Sequence, residues 1–196
     1  RFKAKTLPPV ELLDALIRRA EEVEPVINAF TYRHFDEAMD KARKAEAKYT
    51  SGKRTRALEG LPIGIKDENF IAGKPTSSGS LIMKDFVADK TSVGNERILR
   101  AGGIVHARTA TPEFSSAGYT NSRLWGVTRN PWNPEFTPGG SSGGTAASLA
   151  AGTSAIATGS DIGGSIRIPA GTCGLVGYKP PYGRNSDDPP FNLDFY

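Results

Sequence analysis

The sequence predicts an α/β fold, a mixed and largely buried β-sheet flanked by helices. Three observations lead there. Apolar residues recur at helical spacing over the first fifty positions; short apolar runs bounded by glycine and proline come next; the two textures then alternate along the chain. No internal repeat and no linker divides the 196 residues, which read as one unit.

The elements can be justified in order. Pro8 and Pro9 stand where a helix starts, and Val10, Leu13, Ile17 and Ala20 follow at helical spacing. This predicts a helix from about Pro9 to Val23, stopped ahead of Pro25. A second helix, about Phe35 to Tyr49, gathers Ala38, Met39, Ala42 and Ala45 on one face. Thr50 to Arg56 is a polar loop. Leu61 to Lys66 reads as a short buried strand, Lys74 to Ser80 as a turn-rich loop, and Thr91 to Ala101 as a helix ended by Gly102 and Gly103. Ile104 to Ala107 is a strand. Thr111, Pro112 and Glu113 have the order of an N-cap, a first-turn proline and an acidic residue, which predicts a helix start. Arg129 to Pro138 is a loop rich in proline and asparagine. Gly139 to Gly183 is dense in glycine, serine and alanine, with apolar stretches at Ala146–Ala151, Ser154–Thr158 and Cys173–Tyr178.

Composition removes several classes of function. The 25 Lys and Arg against 21 Asp and Glu leave a net charge of +4, but no run of five or six like charges forms a nucleic-acid footprint. The single cysteine, Cys173, rules out a disulfide framework or a cysteine zinc site within the chain. It fits a reducing compartment, and a cytoplasmic location is expected. No apolar run approaches the roughly 20 residues that span a bilayer, so no membrane partner is expected. The basic start Arg1–Lys5 lacks the apolar core of a signal peptide, and the absence of an initial Met suggests numbering that begins inside a longer chain.

The chemistry must work with little histidine. His34 falls in a polar stretch at a helix start and His106 inside a strand; a Ser–His–Asp mechanism would need one of them as its base. With two His and one Cys, neither a metal nor another cofactor is expected. Gly139-Gly140-Ser141-Ser142-Gly143-Gly144 and Gly159-Ser160-Asp161-Ile162-Gly163-Gly164-Ser165 are loops whose backbone N–H groups suit an anion. The P-loop and dinucleotide patterns are not met. The loops therefore serve either a transient oxyanion beside a nucleophilic serine or tight packing of sheet on helix. Lys66 ends the apolar run Ile63-Gly64-Ile65. A lysine buried there loses solvation and becomes a base, whereas one at a strand end snorkels to water. Asp67 would point to the opposite side of the strand.

The two loops, continued by Ile166-Arg167-Ile168-Pro169-Ala170 and Cys173-Gly174-Leu175-Val176-Gly177-Tyr178-Lys179-Pro180, resemble the amidase signature family. So do Gly60 to Asp67, Thr111 to Phe114, Gly126 to Trp132 and Glu24 to Phe30, so the resemblance covers nearly the whole chain. It implies the amidase signature fold. It also implies that Ser165 is the nucleophile, Ser141 a bridging serine held by a cis peptide bond, and Lys66 the base. The N–H groups of Ile162, Gly163, Gly164 and Ser165 would form the oxyanion hole. Asp161 and Arg167 would brace that loop, or pair elsewhere, and Ser142 would add a supporting hydrogen bond. The activity implied is hydrolysis of a small-molecule carboxylic amide to acid and ammonia or amine, in an enzyme that allows a homodimer. Family members act on aliphatic, aryl, fatty and malonamide-like amides.

Two other readings accompany this one: a glutamine-hydrolysing subunit of a tRNA-dependent amidotransferase, and an inactive scaffold or split subunit. Family chains continue well past Lys179-Pro180. Residues 1–196 are thus expected to be the N-terminal and catalytic-core portion of a single amidase domain, with its fold incomplete and no activity when isolated. Pro181 and the stretch Arg184 to Pro190 depart from the family's usual residues.

Overall fold

The computed structural model describes residues 1–186. Its elements run α1 (Pro9–Ile27), β1 (Phe30–Arg33), α2 (Phe35–Thr50), β2 (Pro62–Lys66), α3 (Val93–Arg100), β3 (Ile104–Thr109), a 3₁₀ turn (Glu113–Ser115), β4 (Asn121–Ser122), β5 (Gly126–Val127), α4 (Gly143–Ala150), β6 (Ile156–Ala157) and α5 (Arg167–Thr172). The main sheet has the order β1-β3-β2-β6, with β2 parallel to both β3 and β6 and β1 antiparallel to β3. This is the mixed α/β sheet the sequence predicts.

Every residue of β2 and β3 is buried, because helices cover both faces of these central strands. On one face, Leu13 of α1 packs with Ala38 and Ala42 of α2 against Ile104. On the other, Ile63, Ile65 and Val105 meet Ile71, with Ile98 and Leu99 of α3 laid over them. The pairing steps from Ile63↔Val105 to Gly64↔Ala107, a bulge that skips His106. His106 is fully buried there, bonded through Nε2 to the Thr153 carbonyl, as a core histidine.

Several boundaries differ from the sequence reading. α1 does not stop before Pro25 but runs through it to Ile27. Proline removes one helical hydrogen bond, and other bonds compensate at this end. Asn28 adopts the left-handed conformation at φ 51° and donates its N–H to the Glu24 carbonyl. The buried Glu24 carboxylate then accepts the N–H groups of Ala29 and Phe30, which launches β1. β1 and α5 carried no sequence signal, being four and six residues long. The helix start at Thr111-Pro112 yields a single 3₁₀ turn, because Phe114 and Ser115 take left-handed φ values of 49° and 56°. Cys173–Tyr178 joins no strand, and Val176 is 97% exposed. The departures at Asp187 to Pro190 lie outside the described residues.

Candidate active site

Lys66 is the last residue of β2, and its side chain is fully buried. The segment after β6 runs beside the end of this strand. There the Thr158 N–H donates to the Gly64 carbonyl, and Thr158 Oγ1 accepts the Lys66 N–H. That alignment delivers Ser160. α4 supplies the other wall. Its N-terminus abuts the end of β3 through the Gly144 N–H, which donates to the Ala110 carbonyl at 3.1 Å. A Cβ on Gly144 would collide with the Ala110 backbone, so no larger residue fits this approach. Ser141 and Ser142 immediately precede the helix, and the Gly140–Ser141 peptide bond is cis.

Lys66 Nζ donates to Ser141 Oγ at 2.7 Å and to Ser160 Oγ at 2.8 Å, and lies 3.2 Å from Glu68 Oε2. Burial pushes the Lys66 ammonium below the ordinary lysine value, against the opposing pull of Glu68 and Asp161. Asp67 is likewise fully buried but on the far side of the strand, 3.6 Å from Arg108. Arg108 also donates to the Lys66 carbonyl at 3.2 Å, which ties the lysine's backbone to the core.

The loop Ser160–Ser165 closes over this pair. Asp161 accepts the N–H groups of Gly164, Ile166 and Arg167, and both Nε and Nη2 of Arg167 at 2.9 Å. The Arg167 guanidinium, foremost, and these N–H groups hold the Asp161 carboxyl well below the usual carboxylate range. Gly164 sits at φ 120°, where a Cβ would come within 2.7 Å of Ile168 Cδ1. The Ser165 carbonyl accepts the Ser142 N–H at 3.2 Å, so the two glycine-rich loops are directly joined. Ser142 Oγ reaches the backbone of Ser160 at 3.4 Å.

Lys66, Ser141, Ser142, Ser165, Asp161 and Arg167 thus converge at one place. Ser165 is half-buried, and its hydroxyl has no hydrogen bond among the described residues, to Ser141 included. The proposed oxyanion donors need one correction. The Gly164 N–H is committed to Asp161 Oδ1 at 2.7 Å, leaving Ile162, Gly163 and Ser165 with N–H groups that have no partner among the described residues.

Two participants escaped the sequence reading. Ser160 is one. Glu68 is the other: its carboxylate also accepts from Ser115 Oγ and, at 3.3 Å, from Asn69 Nδ2. Glu68 lies beyond the end of β2, in the turn closed by the Asn69 N–H on the Lys66 carbonyl, and that turn brings its carboxylate back to Nζ, which alternation along a strand does not reveal. Among the described residues no His, Cys, Asp or Glu cluster could hold a metal ion, and no helix is long and apolar enough to cross a membrane.

A family model described as Amidase matches residues 11–193. A glutamyl-tRNA(Gln) amidotransferase subunit from Synechococcus sp. (strain CC9605) is 43% identical over 176 residues, covering 90% of this chain and 36% of that protein. Its namesake from Endomicrobium trichonymphae is 38% identical over 183 residues, covering 93% and 38%. The chain therefore spans little more than a third of these curated relatives. Among solved structures, an amidase crystal structure matches with a TM-score of 0.87 at 32% identity, over 95% of this chain and 43% of that one. A bacterial aryl acylamidase of the amidase signature family matches at 0.80 and 35% identity, over 86% and 35%.

Proposed function

The chain belongs to the amidase family, and from that premise we propose that residues 1–196 form the N-terminal and catalytic-core portion of an amidase domain that cleaves a small-molecule carboxylic amide. One observation carries this reading: a fully buried lysine whose Nζ lies 2.7 Å from a serine hydroxyl at a helix N-terminus. Burial favours the neutral amine, and the same contact then runs in reverse, with Nζ accepting the Ser141 proton. Rotation of the unbonded Ser165 hydroxyl toward Ser141 completes the relay, so that Ser141 takes the proton of Ser165 as the Ser165 Oγ attacks the amide carbonyl.

The developing oxyanion is met by the N–H groups of Ile162, Gly163 and Ser165. A single such donor in a protease is worth on the order of 10²–10³ in rate. The relay returns its proton to the leaving nitrogen, ammonia or an amine departs, and water releases the acid from Ser165. Asp161 and Arg167 hold the loop in shape, and Ser142 ties it to α4.

A second reading has its own support. The curated relatives are named as amidotransferase subunits, which favours glutamine as the amide and a protein partner that receives the ammonia.

A fluorophosphonate probe on the full-length protein tests the common core. Intact mass should show one adduct, absent from Ser165→Ala. An adduct that persists in Ser165→Ala overturns the nucleophile. Parallel turnover of glutamine and of an aryl amide separates the two readings. Ammonia release that favours glutamine and rises with a co-purified partner supports the amidotransferase; partner-independent cleavage of the aryl amide supports the simple hydrolase. No adduct and no turnover would move the chain to the scaffold or split-subunit class.

A further inference from the structure

Lys66 Nζ has three neighbours: Ser141 at 2.7 Å, Ser160 at 2.8 Å and Glu68 at 3.2 Å. Three partners match the three hydrogens of an ammonium. A neutral amine has two hydrogens and one lone pair, so one of the three directions must become the lone pair. The proton relay requires that direction to be Ser141. Two of the neighbours are hydroxyls, which donate as readily as they accept, and they leave the choice open. An ionised carboxylate accepts only, so Glu68 always claims a hydrogen.

The carboxylate is itself fixed in place. Ser115 Oγ donates to Oε2, the oxygen nearest Lys66, and Asn69 Nδ2 donates to Oε1. Ser115 is in turn bonded to Thr111 Oγ1 at 2.9 Å. The left-handed residues Phe114 and Ser115 bring this hydroxyl to the site instead of continuing a helix.

We propose that Glu68 is a positioning residue for Lys66: its carboxylate holds one amine hydrogen and turns the lone pair toward Ser141. The proposal rests on the reading of Lys66 as the base. The charged groups around Nζ are Glu68 from its own loop and Asp161 from the loop after β6. Asp161 is neutralised by Arg167, and Asp67 by Arg108 on the opposite side of the strand. Glu68 is therefore the nearest carboxylate, and the one whose charge Lys66 itself balances. Its negative charge raises the lysine's proton affinity. Removing that charge lets the neutral amine persist to lower pH, so the acid limb of activity moves down.

Two variants of the full-length protein separate charge from orientation. Glu68→Gln keeps an acceptor oxygen and loses the charge; Glu68→Leu loses both. In pH profiles of kcat/KM for amide hydrolysis, both should move the acid limb down by about one pH unit, the lower end of what an adjacent opposite charge produces. The plateau kcat should fall further in Glu68→Leu, by about tenfold, a part of the 10²–10⁴ that a general base contributes, with KM little changed. The ¹³Cε resonance of Lys66, titrated by NMR, should show the same downward shift in Glu68→Gln without reference to turnover. Acid limbs and NMR midpoints that coincide with the wild type overturn the proposal. Thermal melts by circular dichroism check folding, and Glu68→Gln alone decides the pH question if the leucine variant does not fold. Lys66→Met tells the two failures apart. If it retains full activity, the base assignment fails; if it is inactive while Glu68 variants titrate normally, only the role of Glu68 fails.

Discussion

Replacing Arg108 by methionine would remove the buried cation on which the lysine strand is anchored. The guanidinium is fully buried and donates to the carbonyls of Ile65, Lys66, Asn69 and Pro75 and to Thr76 Oγ1, beside the Asp67 carboxylate. Methionine refills much of the aliphatic volume, so the loss is chiefly electrostatic. Breaking a buried pair from one side costs about 3–5 kcal/mol. That is a large part of the roughly 5–15 kcal/mol that holds a domain folded. With a urea m-value of about 2 kcal/mol/M, the unfolding midpoint should fall by roughly 2 M. Trp125 is a suitable reporter, since its Nε1 donates to Ser77, which also bonds Asp67. The orphaned Asp67 will recover part of the loss by protonating. Burial already holds its proton affinity above the ordinary carboxylate value, and loss of the Arg108 charge raises it further, so Arg108→Met should regain stability relative to the wild type as pH falls. Adding Asp67→Asn should cost less than the two single changes combined. A midpoint shift worth under about 1 kcal/mol, or strict additivity in the double variant, would refute the argument.

Other predictions test the loop and a peripheral ion pair. Asp161→Ala frees three N–H groups and Arg167, and should slow fluorophosphonate labelling of Ser165 by about tenfold or more while lowering Tm by about 2–4 °C. Labelling within twofold of the wild type would show that Asp161 does not shape the site. Glu59, buried between Arg56 and Lys48, has its carboxyl pushed down from 4.5 to about 2, chiefly by the Arg56 hydrogen bonds. A depressed carboxylate stabilises the fold above its unfolded value and loses that contribution as pH falls toward the folded one. Glu59→Gln should therefore lower Tm at neutral pH, with the gap to wild type closing between about pH 4.5 and 2. A gap that is constant across that range would contradict the assignment.

Much of the fold was legible because its elements are long or continuously apolar. α2 and β2 matched their apolar patterns almost to the residue. β1 was not legible, since four residues carry too little alternation to stand out and its partner β3 lies far along the chain. The 3₁₀ turn at Glu113 followed a sound helix-start pattern, yet left-handed φ values at Phe114 and Ser115 ended it at once. At the candidate site, the glycine-serine loops and the misplaced lysine stood out as anomalies of composition. The commitment of the Gly164 N–H to Asp161 did not, because it depends on how one loop folds back on itself.

The sequence by itself determined the fold class, the family and which residue types are at hand: a lysine in an apolar strand and two serines in glycine-rich turns. These are local properties, written in the order of neighbours along the chain. Only the tertiary structure decided what surrounds that lysine. Ser160 and Glu68 enter the site because β6 lies beside β2 and because the Ser115 turn reaches across to the Glu68 carboxylate. The proton affinity of Lys66 is a sum over burial and these partners, all set by distance in space.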